Sequence, residues 1–363
     1  VLFLYYGLWD RLLVGLSTVK WYMWFVYFLI AFYVTLTIHE LGHFIAFRVQ
    51  GIKLRAIYLT IFVFYKKKNR CRFTIKPKLW VLLGGLVVPD LDLIEDAKSY
   101  YDVSKKFAIA LIAAPIVTIS FMGLSFISEF LFLIFTQSDR LIGMMTVFNL
   151  FVLLLSLLYI HTFRLSTQNI YGDFVAYKKI KDDEVFRFTQ INQYMSFRFD
   201  QDHLFSIFMW EKSKELLKAH KMRHNMIYTM LLTTYIEGVL YENQGTDEEV
   251  DQIIIKLPLN FYIKSEHGLT LAYDICLYHY KTGRVEKAYE LLEMIGQKAS
   301  KKIDPKVKRY LDKKARHVMN ITYDPIFLNN KKNYPYGEMW IFEPIIDIYK
   351  DIDKLHEPLP FIA

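Results

Sequence analysis

The sequence predicts a mainly α fold: a polytopic membrane-helical core with a β-hairpin or small-sheet insertion, then a soluble α-helical, tetratricopeptide-like domain. Three observations lead there: long apolar stretches, an uneven charge map and a change of composition near residue 181. The 363 residues are 53% hydrophobic and 17% aromatic, with mean hydropathy +0.18. That excludes a disordered chain, a collagen-like fibre and a disulfide scaffold. Residues 1–180 hold 19 Lys+Arg against 10 Asp+Glu, and residues 181–363 hold 26 against 27. All the basic excess lies in the apolar half, which points to membrane topology and against nucleic-acid binding. The expected organisation is an interfacial or partial transmembrane segment (1–20), an intramembrane core (21–180) and a cytosolic helical domain (181–363).

Residues 1–15 are apolar but carry Asp10 and Arg11, which suits an interfacial helix or the end of a span. Trp21–Phe47 is the first long span, bracketed by Lys20 and Arg48. As a helix it is about 40 Å long, against a hydrocarbon core of roughly 30 Å. Trp21, Tyr22 and Trp24 supply an aromatic belt at one end. The second span is Phe107–Phe135, entered through Lys105 and Lys106, with Glu129 placed to reach the far interface. The third is Leu141–Phe163, antiparallel to the second across a very short link.

The intervening loop, Arg48–Lys106, holds 13 Lys+Arg. The positive-inside rule places it, and everything after Arg164, in the cytosol. Within it, Leu54–Phe64 and Arg70–Lys76 are rich in β-branched and aromatic residues, and the polar run Tyr65–Asn69 separates them. This predicts a hairpin, whose edge suits an extended peptide or whose cations suit anionic lipid heads. Gly84-Gly85 and Pro89 read as breaks in regular structure. The acidic run Asp90, Asp92, Glu95, Asp96 and Asp102 reads as solvated loop.

His39-Glu40-Leu41-Gly42-His43 is an H-E-x-x-H motif inside the first span. Positions i and i+4 share a helix face, so two imidazoles can grip one Zn²⁺ while Glu40 holds a water. Ionisable groups in hydrocarbon are costly and persist mainly where they function. A third ligand is needed. It must return to the depth of His43, where the third span ends. Asp173 is the first carboxylate past that end, and His161 is the competing candidate.

The motif within a span, the basic loop, a second span with Pro115 and a third span closing on Gly172-Asp173 resemble the site-2 protease family of intramembrane zinc metalloproteases. The resemblance covers about residues 20–180. It implies that Asp173 is the third ligand, although its Gly precedes rather than follows it. It sets Ala114-Pro115-Ile116-Val117-Thr118 against a family pattern with Asn at the last position. Thr118, His161 and Asn169 are the expected substrate-binding or ligand-supporting residues. The resemblance implies a Zn²⁺ cofactor, with Glu40 as general base acting on a zinc-bound water. It also implies a transmembrane or membrane-associated peptide substrate and a location in a bilayer. Candidate substrates are an anti-sigma factor, a signal-peptide remnant and a pheromone or bacteriocin precursor. The alternative is an inactive membrane metal-site protein acting in immunity or sensing. High Lys, Ile, Phe and Tyr usage suggests a bacterial source.

In the tail, Met209–Lys218, Asn225–Tyr241 and Leu271–Gly296 carry helical spacing. Cys276, Gly283, Ala288 and Leu292 fall at helix-pair positions, and Gly245 and Val250 precede Gly283 and Ala288 by 38 residues each. Helical hairpins that receive a protein partner are expected. His220 and His224 are separated by Lys221, Met222 and Arg223, whose cations oppose a metal. Cys71 and Cys276 are expected to be free thiols.

Overall fold

The computed structural model describes residues 7–67, 70–82, 84–167, 171–195, 206–220, 226–330, 332–334, 341–345 and 358–359. The chain divides into two compact units, one built mainly from residues 1–91 and 101–183, the other from 92–100, 184–196 and 200–363.

The first unit opens with α1 (Leu8–Ser17). It is about 15 Å long, half the hydrocarbon thickness, so it cannot span. It packs on the later helices through Leu8, Leu133 and Ile142. A Cβ at Gly143 would fall 2.0 Å from the carbonyl oxygen of Gly15, so glycine is required at this crossing. Arg11 donates to the carbonyls of Leu133 and Thr136, neutralising the negative end of the helix that finishes there.

Three helices are long and apolar enough to cross a membrane: α2 (Trp21–Val49), α3 (Ala97–Phe135) and α4 (Asp139–Thr162). The α3 helix starts ten residues before the apolar run, because Ala97–Lys106 continues the helix in polar sequence. Pro115 lies inside it. Glu129 does not reach outward as expected. It is half-buried and accepts hydrogen bonds from Thr146 Oγ1 (2.5 Å) and Asn149 Nδ2 (2.8 Å), tying α3 to α4. Leaving the carboxylate unpaired in an apolar bundle would cost more than ordering it there.

The loop holds a four-stranded antiparallel sheet, order β3-β2-β1-β4, where the sequence suggested one hairpin. The strands are β1 (Lys53–Leu59), β2 (Phe62–Lys67), β3 (Arg70–Ile75) and β4 (Gly85–Asp90). The apolar run Leu54–Phe64 is two strands, turned at Thr60, whose φ is 48°. No Gly or Pro marks that turn, so periodicity alone missed it. Tyr65 and Lys66 lie in β2 rather than in a connecting loop, paired with Arg72 and Cys71. Gly85 and Pro89 do not break structure; they belong to β4. Pro89 is tolerated because β4 is an edge strand.

The second unit is helical: α5 (Asp173–Asp182) leads out of the first unit into α6 (Glu184–Met195), α7 (Ile207–Ala219) and α8 (Met226–Tyr241). Then follow α9 (Glu248–Ile255), α10 (Leu259–Tyr262), α11 (Glu266–Lys281), α12 (Val285–Lys298), α13 (Pro305–Val318) and α14 (Pro325–Leu328). The stretch Leu271–Gly296 is a helix pair turned at Gly283, whose φ of 80° favours glycine. Cys276 Sγ lies 3.0 Å from the Ala288 carbonyl across that pair. Cys276 is buried and Cys71 exposed, both free. His224 lies outside the described residues.

Candidate metal centre

The α2 helix carries almost no amphipathic pattern, because most of its surface is apolar. Its polar exceptions share one face. His39 and Glu40 are buried, 6% and 4% exposed. Gly42 explains why this face meets α3 so closely. A Cβ there would fall 2.6 Å from Ala114 Cα, so only glycine permits this backbone approach.

That approach fixes both imidazoles. His39 Nδ1 lies 3.0 Å from Thr118 Oγ1, and His43 Nδ1 lies 2.8 Å from the Ala110 carbonyl. The Thr118 hydroxyl donates to the Ala114 carbonyl at 3.0 Å. Its oxygen is then left to accept from His39 Nδ1–H. A carbonyl can only accept, so His43 Nδ1 also carries its proton. Both Nε2 atoms are thereby left with free lone pairs.

Both Nε2 atoms face one carboxylate. Asp173 Oδ2 lies 3.3 Å from His39 Nε2 and 3.7 Å from His43 Nε2. The three ligand atoms fall within 4.8 Å of one another. Asp173 returns to this depth because the chain doubles back at the end of α4. Gly172 N–H donates to the Leu165 carbonyl and Phe174 N–H to the Phe163 carbonyl. A Cβ at Gly172 would lie 2.1 Å from the Thr162 carbonyl oxygen. Glycine before the Asp is therefore what lets the carboxylate reach the two histidines.

His161 is exposed and does not belong to this group. Tyr159 and Phe163 stack on the His39 ring at 5.5 Å and 5.1 Å. At about 100° per residue, His161 projects from the opposite side of α4. Asn169 lies outside the described residues. Sequence reasoning missed Tyr159 and Phe163, whose i, i+4 spacing at the end of the third span was the available signal. It also missed the Ala110 carbonyl, for which no side-chain signal exists.

Glu40 completes the site. Its Oε2 is buried with no hydrogen-bond partner, an orphan that a bound water or substrate would satisfy. Its neighbour is β4: a Cβ at Gly85 would fall 2.4 Å from Glu40 Cγ and 2.5 Å from Oε1. The Gly84-Gly85 pair, read from sequence as a break, is where the sheet presses against the glutamate.

Two imidazole nitrogens with free lone pairs, one carboxylate and an adjacent unpaired glutamate form the donor set of a catalytic zinc site. Their place on an apolar helix makes it a membrane-embedded H-E-x-x-H metallopeptidase centre. The family model of Peptidase family M50 matches residues 27–315. The chain belongs to that family, the site-2 protease family of zinc metalloendopeptidases. No curated protein and no solved structure matches it.

Proposed function

We propose that this chain is an intramembrane endopeptidase that hydrolyses transmembrane or membrane-associated peptides, with His39, His43 and Asp173 as zinc ligands and Glu40 as general base. The observation that carries the reading is the convergence of both Nε2 atoms and Asp173 Oδ2 beside the unpaired Glu40 carboxyl. Bound there, zinc supplies a Lewis acid that acidifies a water and polarises a carbonyl. Thr118 and the Ala110 carbonyl hold the two ligand rings in the tautomer that faces the site. Glu40 accepts the proton from the attacking water and delivers it to the leaving amine. No covalent intermediate is needed.

A helical substrate has its peptide groups satisfied internally, so it must unwind before attack. The edge strand β4 supports a mechanism for this. It touches the glutamate through Gly85 and, among the described residues, pairs only with β1. A substrate segment that adds as a strand beyond β4 would exchange helix hydrogen bonds for sheet hydrogen bonds and lie extended beside Glu40.

The charge map supports a bacterial cell-membrane protein with the basic sheet and the helical domain in the cytosol. The helix pairs of that domain suit a tetratricopeptide-like role in receiving a protein partner. Processing of signal, pheromone or bacteriocin precursors, or regulated cleavage of a membrane-bound regulator, fits such an enzyme.

The test is Glu40→Gln. The variant is expected to keep its zinc and lose about 10³-fold or more of its cleavage of a co-expressed membrane peptide, because the amide cannot accept a proton. Proteomic comparison of membranes carrying the two proteins would identify the substrates. Undiminished cleavage would overturn the protease mechanism; an unchanged cellular phenotype would favour a non-catalytic immunity or sensor protein.

A further inference from the structure

One cavity of the first unit plays no part in the metal site. It has a volume of about 380 Å³ and lies between α2 and one face of the sheet. Phe44, Phe64 and Phe73 line it together with Arg55, Lys66 and Arg72. The cross-strand partners Phe64 and Phe73 stay 46% and 52% exposed, although their rings meet at 5.0 Å. Arg55 is buried, in the field of Asp90. Lys66 and Arg72 have no hydrogen bond or ion pair among the described residues. The cavity therefore joins an aromatic wall to two uncompensated cations and carries no carboxylate on its lining.

Its depth follows from α2. Phe44 is one residue past the ligand His43, and Arg48, the basic bracket of the span, is four residues further. Along a helix that is about 6 Å. The cavity thus sits where a bilayer changes from acyl chains to phosphates, and basic residues at that level favour anionic lipid. A free anion would use the cations and leave the aromatic wall idle. An amphiphile uses both.

We propose that this cavity binds the headgroup of an anionic phospholipid, its phosphate against Lys66 and Arg72 and its first acyl carbons against Phe64 and Phe73. The bound lipid would brace the sheet against α2 on the side away from the β4 edge.

The test uses the full-length protein, released from detergent and examined by native mass spectrometry after titration with phosphatidylglycerol, phosphatidylcholine or glycerol phosphate. The expected result is retained phosphatidylglycerol and no retained phosphatidylcholine. K66Q/R72Q should weaken phosphatidylglycerol binding roughly thirtyfold, about fivefold per cation. R70Q/K78Q removes the same charge from loop residues that do not line the cavity and should leave binding unchanged. F64S/F73S should lose the lipid while keeping the wild-type response to glycerol phosphate. Equal retention of the two lipids, or equal loss in both charge variants, would overturn the site. Glycerol phosphate binding as tightly as the lipid, with F64S/F73S indifferent, would make it a free-phosphate site and overturn the lipid.

Discussion

The two units treat buried ionisable groups in opposite ways. In the helical domain they are closed by protein partners. Lys281 is 1% exposed, and its ammonium donates to the Leu240 carbonyl at 2.8 Å and to Asn243 Oδ1 at 3.0 Å. Arg284 grips Asp251 with two hydrogen bonds of 2.8 and 2.6 Å and donates a third to His279 Nδ1. Burial and the Arg284 charge push the His279 imidazole down to about 4, so it stays a neutral acceptor. In the membrane unit the buried groups at the metal centre converge instead on one point, and Glu40 Oε2 is left without a partner. Closed networks fix helices in place. Valences left open in a costly environment mark the place where chemistry happens.

Asp173→Ala would break this contrast most severely. It removes one of three ligands, so zinc content and cleavage are expected to fall together. Elemental analysis of the purified protein separates it from Glu40→Gln, which should lose cleavage alone. Unchanged zinc in Asp173→Ala would move the ligand assignment to His161, with His161→Ala as the matching control.

Gly85→Ala should come next. The added methyl cannot fit beside the Glu40 carboxyl, so sheet or glutamate must shift by a large fraction of an ångström. A displacement of about 1 Å at a reacting group costs on the order of 10²-fold. Zinc content should be preserved, and kcat should carry the loss.

Thr118→Val keeps the shape but removes the acceptor for His39 Nδ1–H. The expected loss is about 10–100-fold in metal affinity, read by competition with a chelator. Thr118→Ser should restore most of it. A loss shared equally by Val and Ser would mean that packing, rather than the hydrogen bond, is what matters there.

Asp274→Asn would sharpen the comparison from the other side. Asp274 is 5% exposed, and burial pushes its carboxyl from 3.8 up to about 6, with the Lys314 charge opposing. A folded-state value above the unfolded one means that the native state holds its proton more tightly. The carboxylate therefore costs stability above pH ~6, and the cost disappears as pH falls below the unfolded value. Two units correspond to about 3 kcal/mol. Asp274→Asn is expected to slow hydrogen exchange in α8 and α11 at pH 8 and to change little near pH 4. A variant less stable at pH 8 would show that the Asp274–Lys314 attraction outweighs burial.

Much of the membrane unit was legible in the chain. Span lengths come from the thickness of hydrocarbon, and the H-E-x-x-H spacing comes from the helical repeat. Both are local rules, so residues 21–47 and 141–163 came within two residues of the helices seen. The start of α3 was misplaced because hydropathy marks the apolar run and not the helix that carries it. The sheet was half seen. Its strands alternate legibly, but the turn at Thr60 has no glycine or proline to announce it. The role of Gly84-Gly85 depends on a contact with Glu40 about 45 residues earlier in the chain, and no local pattern encodes such a contact.

By itself the sequence determined which residues could hold a metal, since two imidazoles one helical turn apart share a face whatever surrounds them. It left the choice between Asp173 and His161 open, because both lie near the end of one span. Only the tertiary structure favoured one. The close crossing at Gly42 and Ala114 turns both Nε2 atoms to one side, and the reversal at Gly172 carries Asp173 back to meet them. Tyr159 takes the inward face of α4 and leaves His161 outside. The physical reason is that coordination needs atoms within about 5 Å of one another, and distance between residues far apart in the chain is set by packing rather than by spacing.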